Sequence, residues 1–445
     1  MRLARGEFLY PPINDFPYTV DNYPPLYPLL LALGYVFTGV NFFWARFISF
    51  GATLLTAIVS GFWTWHYTRD KSASVLASLA YLSFYHVYDW GALARVDALG
   101  VFLTIFALYW FESKRTWLVP MLFCLLALYT RQTLFAAPLA ILCVLHEKDR
   151  RQAYTFTGAL LGTGFILFLF MLLLSSGRAF SHLVLYNANE FRLSDVWIYV
   201  RHWIFLYPVW GAVPLLILCW GKQVIYSPTG ECLHLLFWYT LFAIFEALLC
   251  GKIGSAPNYL LSLVCATSVG LGLLFSLFRR TLPALLGDSS AIRYVPILVF
   301  LLASLLQMFN AWHIPHYRDW AITPTREMAE QATRVRLHLE RVEGLVFSDR
   351  SGIDLMAGHE PVYQPFIFTQ LARQEMWEQE QILKRVRERE FARVLLHFDL
   401  NDPNWDRERF TPALIDALRQ NYALQQQTGS YYLYQPNTVQ SPQIQ

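Results

Sequence analysis

Long apolar stretches recur along this 445-residue chain, and they limit it to few folds. A hydrocarbon core of about 30 Å takes roughly 20 apolar residues per helix. Ten stretches approach that length: 46–67, 72–88, 97–112, 117–130, 133–146, 152–174, 203–221, 232–250, 259–277 and 293–312. A backbone in lipid must satisfy its own N–H and C=O groups, so each stretch reads as a helix. The expected fold class is a polytopic α-helical membrane protein with about ten transmembrane helices. Composition agrees, with 55% hydrophobic and only 15% charged residues, against about 25% charged in soluble domains. The net charge of +3 is too small for a nucleic-acid surface. Six cysteines (Cys124, Cys143, Cys219, Cys232, Cys250 and Cys265) sit in apolar segments without a C-x-x-C pair. They read as packing residues, with no disulfide framework or zinc site.

Sidedness follows from the turns. Every second turn is basic: Arg69 and Lys71, Lys114-Arg115, Lys148 with Arg150-Arg151, Lys222, then Arg279, Arg280 and Arg293. These turns are expected in the cytoplasm. The turns at 89–97, Arg131, 175–202 and 251–259 are expected outside. With ten spans the chain then starts and ends outside. Residues 1–45 hold no span to carry them across, so a further helix ahead of Met1 is the expectation. Residues 26–43 follow Pro24-Pro25 and are read as an interfacial or re-entrant segment, because an eleventh span would reverse the parity.

Charged residues become frequent after Trp320. Thr323-Pro324 reads as a cap and first helical position. A helix of about 18 residues is expected next, then a strand at Leu345-Val346-Phe347 and a short helix at 351–357. A longer helix over 370–390, a strand over 392–398, a helix over 412–420 and a strand at Tyr431-Tyr432-Leu433-Tyr434 follow. Alternation of strands and helices predicts a small C-terminal α/β domain. The expected division is an outer loop with a juxtamembrane segment over 1–45, a transmembrane domain over 46–320, an extracytoplasmic α/β domain over 321–436, and a disordered tail over 437–445.

Polar residues at membrane depth are costly, about 2.5–3.5 kcal/mol for a central Asp or Arg, so those retained near the outer ends are candidates for chemistry. Asp97, in Arg95-Val96-Asp97, can serve as a general base or as a helix cap. Asp15, Asp21 and Tyr23 lie in a loop stiffened by Pro24-Pro25, where the two carboxylates read either as bases or as loop caps. Arg131, followed by Gln132, is placed to bind a lipid phosphate or to snorkel. Lys252, Asn258 and Tyr259 belong to a stretch of small residues that reads as a ligand loop or a plain turn. Loop 175–202 is long enough to cover a site. His313 and His316 lack metal-ligand spacing.

In this order, the groups resemble the GT-C class of membrane glycosyltransferases, in the branch of protein O-mannosyltransferases and aminoarabinose transferases. The matching pieces are Arg5-Gly6-Glu7-Phe8-Leu9-Tyr10, Tyr23-Pro24-Pro25-Leu26-Tyr27, Ala45-Arg46-Phe47, Arg95-Val96-Asp97 and Thr130-Arg131-Gln132-Thr133. Gly251-Lys252-Ile253-Gly254-Ser255 and Asn258-Tyr259 complete them. The resemblance implies transfer of a sugar, with inversion, from a polyprenyl-phosphate donor to a lipid, glycan or protein acceptor at the outer face of the cell membrane. It assigns catalytic acids to the first outer loop and to the start of a later span, making Asp15, Asp21 and Asp97 the catalytic candidates here. It makes Arg95, Arg131, Gln132, Lys252, Asn258, Tyr259 and Tyr23 the substrate-binding candidates. The family's main acid pair would precede Met1, and Asn258-Tyr259 stands where relatives often carry an acid. No cofactor is implied with certainty, and a divalent metal is left open. The alternatives are a transporter or flippase of lipid-linked substrates, for which Glu246 is the one good in-span acid, and an inactive truncated relative.

Overall fold

The computed structural model describes residues 2–220, 233–287, 289–313 and 325–437. The expected disordered tail beyond Asn437, Lys222, Cys232, His316 and the Thr323-Pro324 cap lie outside them. The membrane part comprises α1 (Leu26–Thr38), α2 (Phe42–Thr68), α3 (Lys71–Ser83), α4 (Tyr85–Trp90), α5 (Asp97–Lys114), α6 (Leu118–Thr130) and α7 (Ala136–Lys148). It continues with α8 (Arg150–Leu174), α9 (Arg178–Leu183), α10 (Leu193–Leu206), α11 (Val213–Trp220), α12 (His234–Leu248), α13 (Leu261–Leu286) and α14 (Ser290–His313).

Every described part of the ten apolar stretches meets a helix. Five helical segments are long and apolar enough to cross a bilayer: Phe42–Thr68, Arg150–Leu174, His234–Gly251, Pro257–Leu286 and Tyr294–His313. The chain is a multi-pass membrane protein. Two expected spans are broken. Stretch 72–88 stops at Ser83, where Phe84 turns extended before α4 begins. Stretch 203–221 is split between α10 and α11 by a single turn at Trp210–Ala212. Pro208 has no N–H and keeps Tyr207 out of the helical region, which accounts for the second break. The 13 residues of α1 rise about 20 Å, short of a bilayer core.

Local chemistry sets the helix ends. Asn41 caps α2 through Phe43 N–H, Asp70 caps α3 through Ser72 and Ala73, and Asp149 caps α8 through Arg151 and Gln152. One face of α2 carries Ser49, Thr53, Thr56, Ser60, Thr64 and Thr68, all buried. Most of these hydroxyls return to the carbonyl four residues back, so a polar face enters the bundle without unsatisfied donors. Gly61 sits so close to α3 that a Cβ would lie 2.3 Å from Ser78 Oγ. α13 is the central helix, buried along most of its apolar length, whereas α8 exposes nearly its whole surface to lipid. Asp97 at the start of α5 bonds to Arg131 at the end of α6 and to Asn258 just ahead of α13, so these three share one end of the bundle. Arg69, Lys114, Arg115, Lys148, Arg150 and Arg279 share the other.

The C-terminal domain contains α15 (Arg326–Leu339), β1 (Leu345–Ser348), α16 (Ser351–Met356), α17 (Pro365–Arg373), α18 (Glu380–Arg387), β2 (Phe391–Leu396), α19 (Pro412–Asn421), β3 (Tyr422–Thr428) and β4 (Tyr431–Pro436). The sheet order is β1-β2-β4-β3, with β1 and β2 parallel and the other pairs antiparallel. Successive strand residues alternate faces. Val346, Leu395 and Leu433 pack under α15, while Phe347, Val394, Leu396 and Tyr434 join the core on the opposite face. The expected 370–390 helix is two helices, α17 and α18, because Glu375 turns to φ 57° between them. The helix expected to span about 18 residues has 14 and is capped by Thr325. Strand β3 was not anticipated; it is an edge strand whose Gln425-Gln426-Gln427 run faces solvent.

Residues 16–20 belong to this domain's packing. Tyr18 N–H donates to Val362 O at 2.9 Å, Val20 N–H to Gln364 Oε1 at 2.9 Å, and both side chains enter the domain core. Further contacts tie the domain to the bundle: Arg192 to Glu408 at 3.0 Å and Arg5 to Glu360 at 3.3 Å. Phe366 is packed so tightly over Gly254 that a Cβ there would lie 2.2 Å away.

Candidate functional site

Asp97 opens α5 but does not cap it. The N-cap is Val96, and the Asp97 carboxylate turns sideways into the bundle. There it pairs with Arg131, which sits where α6 ends in an extended residue. The amide of Asn258 donates to Asp97 Oδ1 at 2.7 Å, and Arg95 Nε donates to Oδ2 at 3.2 Å. Asp97 is 1% exposed, Arg131 3% and Asn258 4%. A buried charge persists only when paired and hydrogen-bonded, and these three side chains supply that for Asp97. With three donors on its two oxygens, Asp97 holds Arg131 and Arg95 in place.

Aromatic rings complete the pocket. The Arg131 guanidinium lies 4.0 Å from the Tyr259 ring centre, and that of Arg95 lies 4.5 Å from Trp90. Arg95 also donates to Tyr23 Oη at 3.3 Å. Burial first, and then the Asp97 charge, raises the Tyr23 phenol above its usual pKa, so it stays a neutral hydrogen-bonding group. Gln132 clamps the loop ahead of α1 by donating to Asn22 O at 3.2 Å, and it also donates to Leu183 O of α9 at 3.3 Å. Asn187 reaches the same Asn22 carbonyl at 3.1 Å.

Lys252 stands at the edge of this group. Its loop is held by a backbone bond from Ile253 N to Glu190 O at 2.9 Å and another from Arg192 N to Gly251 O at 2.7 Å. Gly251 is required there, since a Cβ would meet Val196 at 2.5 Å and Phe191 at 2.7 Å. Burial, and then the neighbouring Arg131, lower the Lys252 ammonium pKa below the ordinary lysine value. Among the described residues no carboxylate pairs with Lys252. The site therefore holds two guanidinium groups on Asp97 and a third cation, Lys252, that no described carboxylate pairs.

The structure thus gathers Tyr23, Arg95, Asp97, Arg131, Gln132, Asn258, Tyr259 and Lys252. Asp21 is close by in the chain and is held separately: its N–H donates to His182 Nδ1 at 3.1 Å, and its Oδ2 accepts from Tyr10 N–H at 3.4 Å. Asp15 is not brought to the group. It lies exposed in a turn beside residues that pack into the C-terminal domain. Sequence reading did not place Glu246 at the site. Its Oε1 accepts Ala136 N–H at 2.6 Å, the first amide of α7, and so pins the turn that carries Arg131. The signal was present as a single acid in an apolar helix. Among the described residues, no three His, Cys, Asp or Glu side chains converge as a metal site would require.

An apolar cleft of about 410 Å³ opens beside the group, lined by Leu9, Tyr10, Leu26, Leu126, Tyr129 and Phe170 among others. Tyr10, in the cleft wall, donates its hydroxyl to the Tyr23 carbonyl at 3.1 Å and so links the cleft to the loop that Arg95 holds, while the charged side chains of the group do not line the cleft.

The fold of this chain is one already seen in solved structures. Its solved counterparts include ArnT from Cupriavidus metallidurans, an aminoarabinose transferase, in a crystal structure bound to undecaprenyl phosphate. That structure superposes with a TM-score of 0.58 at 11% identity, covering 98% of this chain and 91% of ArnT. The apo ArnT structure gives 0.59, also at 11% identity, covering 97% and 90%. No protein-family model and no curated protein sequence matches the chain. The likeness therefore establishes the fold and leaves the activity to be argued from the site.

Proposed function

We propose that this protein transfers a sugar from a polyprenyl-phosphate donor to a lipid, glycan or protein acceptor at the outer membrane face. The observation that carries the reading is a buried arginine fixed by Asp97 near Lys252, which no described carboxylate pairs, in a group whose Tyr23 loop is bonded to Tyr10 in the wall of an apolar cleft. An anionic phosphate on a long hydrocarbon chain matches both halves. The crystal structure of ArnT with undecaprenyl phosphate shows that this fold accommodates such a lipid in a relative.

In the reaction, the acceptor's O–H or N–H group attacks the anomeric carbon, and the bond from that carbon to the phosphate oxygen breaks. The configuration inverts. Charge grows on the departing phosphate, and Arg131 with Lys252 stabilises it; donors fixed in advance at such a point are worth roughly 3–4 kcal/mol each. Asp97 keeps Arg131 aimed. The acceptor's proton passes to a carboxylate of the loop ahead of α1, where Asp21 is the candidate: it stands two residues before Tyr23, which Arg95 holds to the pocket, and would have to leave the Tyr10 amide to serve. The basic turns at the far end of the bundle support an outer position for the site, by the positive-inside rule. A transport reading fits less well, because Glu246 is engaged with a helix N-terminus and does not line a path.

The test is transfer in proteoliposomes from a panel of radiolabelled polyprenyl-phosphate sugars, with release of the polyprenyl phosphate as readout. Release by the wild type, and its loss in Arg131→Ala, is the expected result. Equal release by wild type and variant overturns the proposal.

A further inference from the structure

A second cavity, of about 600 Å³, runs along α3 from Lys71, at the end of the bundle opposite Asp97, to Ser83, between α3, α13 and α14. Its floor is Ala80, Trp210, Phe275 and Phe300, all buried. Leu79 and Leu301 form an exposed rim facing lipid. The cavity exists because α3 is short and packs small residues, Ala73, Ala77 and Ala80, against its neighbours. Its polar wall groups are already used: Ser83 Oγ donates to Ala80 O at 2.8 Å, and Ser304 Oγ to Phe300 O at 2.7 Å. An occupant here meets a wall that offers hydrocarbon contact only.

The entrance is different. Lys71 lines the cavity at the first turn of α3. Asp70 is occupied by the α3 amides and by Arg279 at 3.1 Å. Arg280, on α13, donates to the Thr68 carbonyl three residues before Lys71, and among the described residues no carboxylate pairs with it. Among the described residues no carboxylate pairs with Lys71. From Lys71 to Ser83 the groove runs about 18 Å along the helix, slightly more than one leaflet of a core about 30 Å thick.

We propose that this groove is a binding site for one membrane phospholipid with an anionic headgroup, its acyl chain along α3 and its phosphate at Lys71 and Arg280. A basic rim over an apolar slot at the cytoplasmic boundary is the charge pattern that anionic headgroups select. The site is separate from the Asp97 pocket and does not depend on the function proposed for it.

Native mass spectrometry of the full-length protein tests this, with phosphatidylglycerol and phosphatidylethanolamine of identical chains. The wild type is expected to retain one phosphatidylglycerol at least tenfold more tightly than phosphatidylethanolamine. Lys71→Gln should erase that preference, and Leu79→Trp, which fills the slot, should abolish the retained lipid of either kind. Equal retention of the two lipids by the wild type, or unchanged retention in Leu79→Trp, overturns the proposal. A protein dimer that loses its second copy in Leu79→Trp would also overturn it, since a second chain would then fill the groove.

Discussion

Aspartates and arginines meet at both ends of this helix bundle, with opposite consequences. At one end Asp70 caps α3, and Arg279 reaches it from the surface, with 41% of that arginine side chain exposed. At the other end Asp97 caps nothing. Its carboxylate is buried and bridges Arg131, Arg95 and Asn258, from three separate parts of the chain. The first arrangement is what helix termini ordinarily need. The second buries charge at a cost that helix capping does not explain, and it keeps Arg131 fixed near Lys252, which no described carboxylate pairs. Burial, more than residue type, distinguishes the charges proposed to work from the structural ones here.

The comparison breaks first at Arg131. Replacing it with Ala removes the fixed donor and leaves Asp97 buried without its main partner. Release of polyprenyl phosphate should fall about 10²–10³-fold, the usual effect of deleting a transition-state donor. Arg131→Lys keeps the charge but loses the forked geometry, so it should fall between the wild type and Ala. If Lys matches the wild type, the site needs only a positive charge.

Asp97→Asn is next. The amide keeps the shape and removes the anion that holds two guanidinium groups. Breaking a buried pair typically costs about 3–5 kcal/mol, so the thermal midpoint in detergent should drop clearly and the transfer rate with it. A rate that collapses while the midpoint stays would mean Asp97 handles a proton directly.

Lys252 offers a pH test. Burial and the neighbouring Arg131 lower its pKa, so its charge is lost at a lower pH than an ordinary lysine's. The alkaline limb of the rate profile should therefore begin early. Lys252→Arg should move that limb to higher pH, since guanidinium stays charged. A limb unmoved by the substitution would assign it to another group.

Much of this was legible beforehand, and the limit has a physical form. Apolar length located the helices, and the alternation of basic turns placed Asp97, Arg131, Lys252 and Asn258 at one end. Periodicity and caps describe an element along its own axis. They say nothing about partners across elements, which is why the Asn258–Asp97 bond and the link from Glu246 to Ala136 were out of reach. The split at Tyr207-Pro208 was visible as a proline but was outweighed by apolar length. Strand β3 stayed hidden because an edge strand with an exposed glutamine face carries no hydrophobic alternation.

The control end of the comparison carries the smallest expected effect. Asp70→Ala removes the cap that accepts from Ser72 N–H at 2.9 Å and Ala73 N–H at 3.3 Å, along with the surface pair to Arg279. Losing an N-cap costs about 1 kcal/mol, and an exposed pair adds at most about 1 kcal/mol more. The midpoint should fall by a few degrees at most, with the transfer rate per folded molecule unchanged, because a full bilayer separates Asp70 from Arg131. A rate loss comparable to that of Asp97→Asn would mean the two ends are coupled through α2, α3 and α5, and burial would no longer distinguish the working charges from the structural ones.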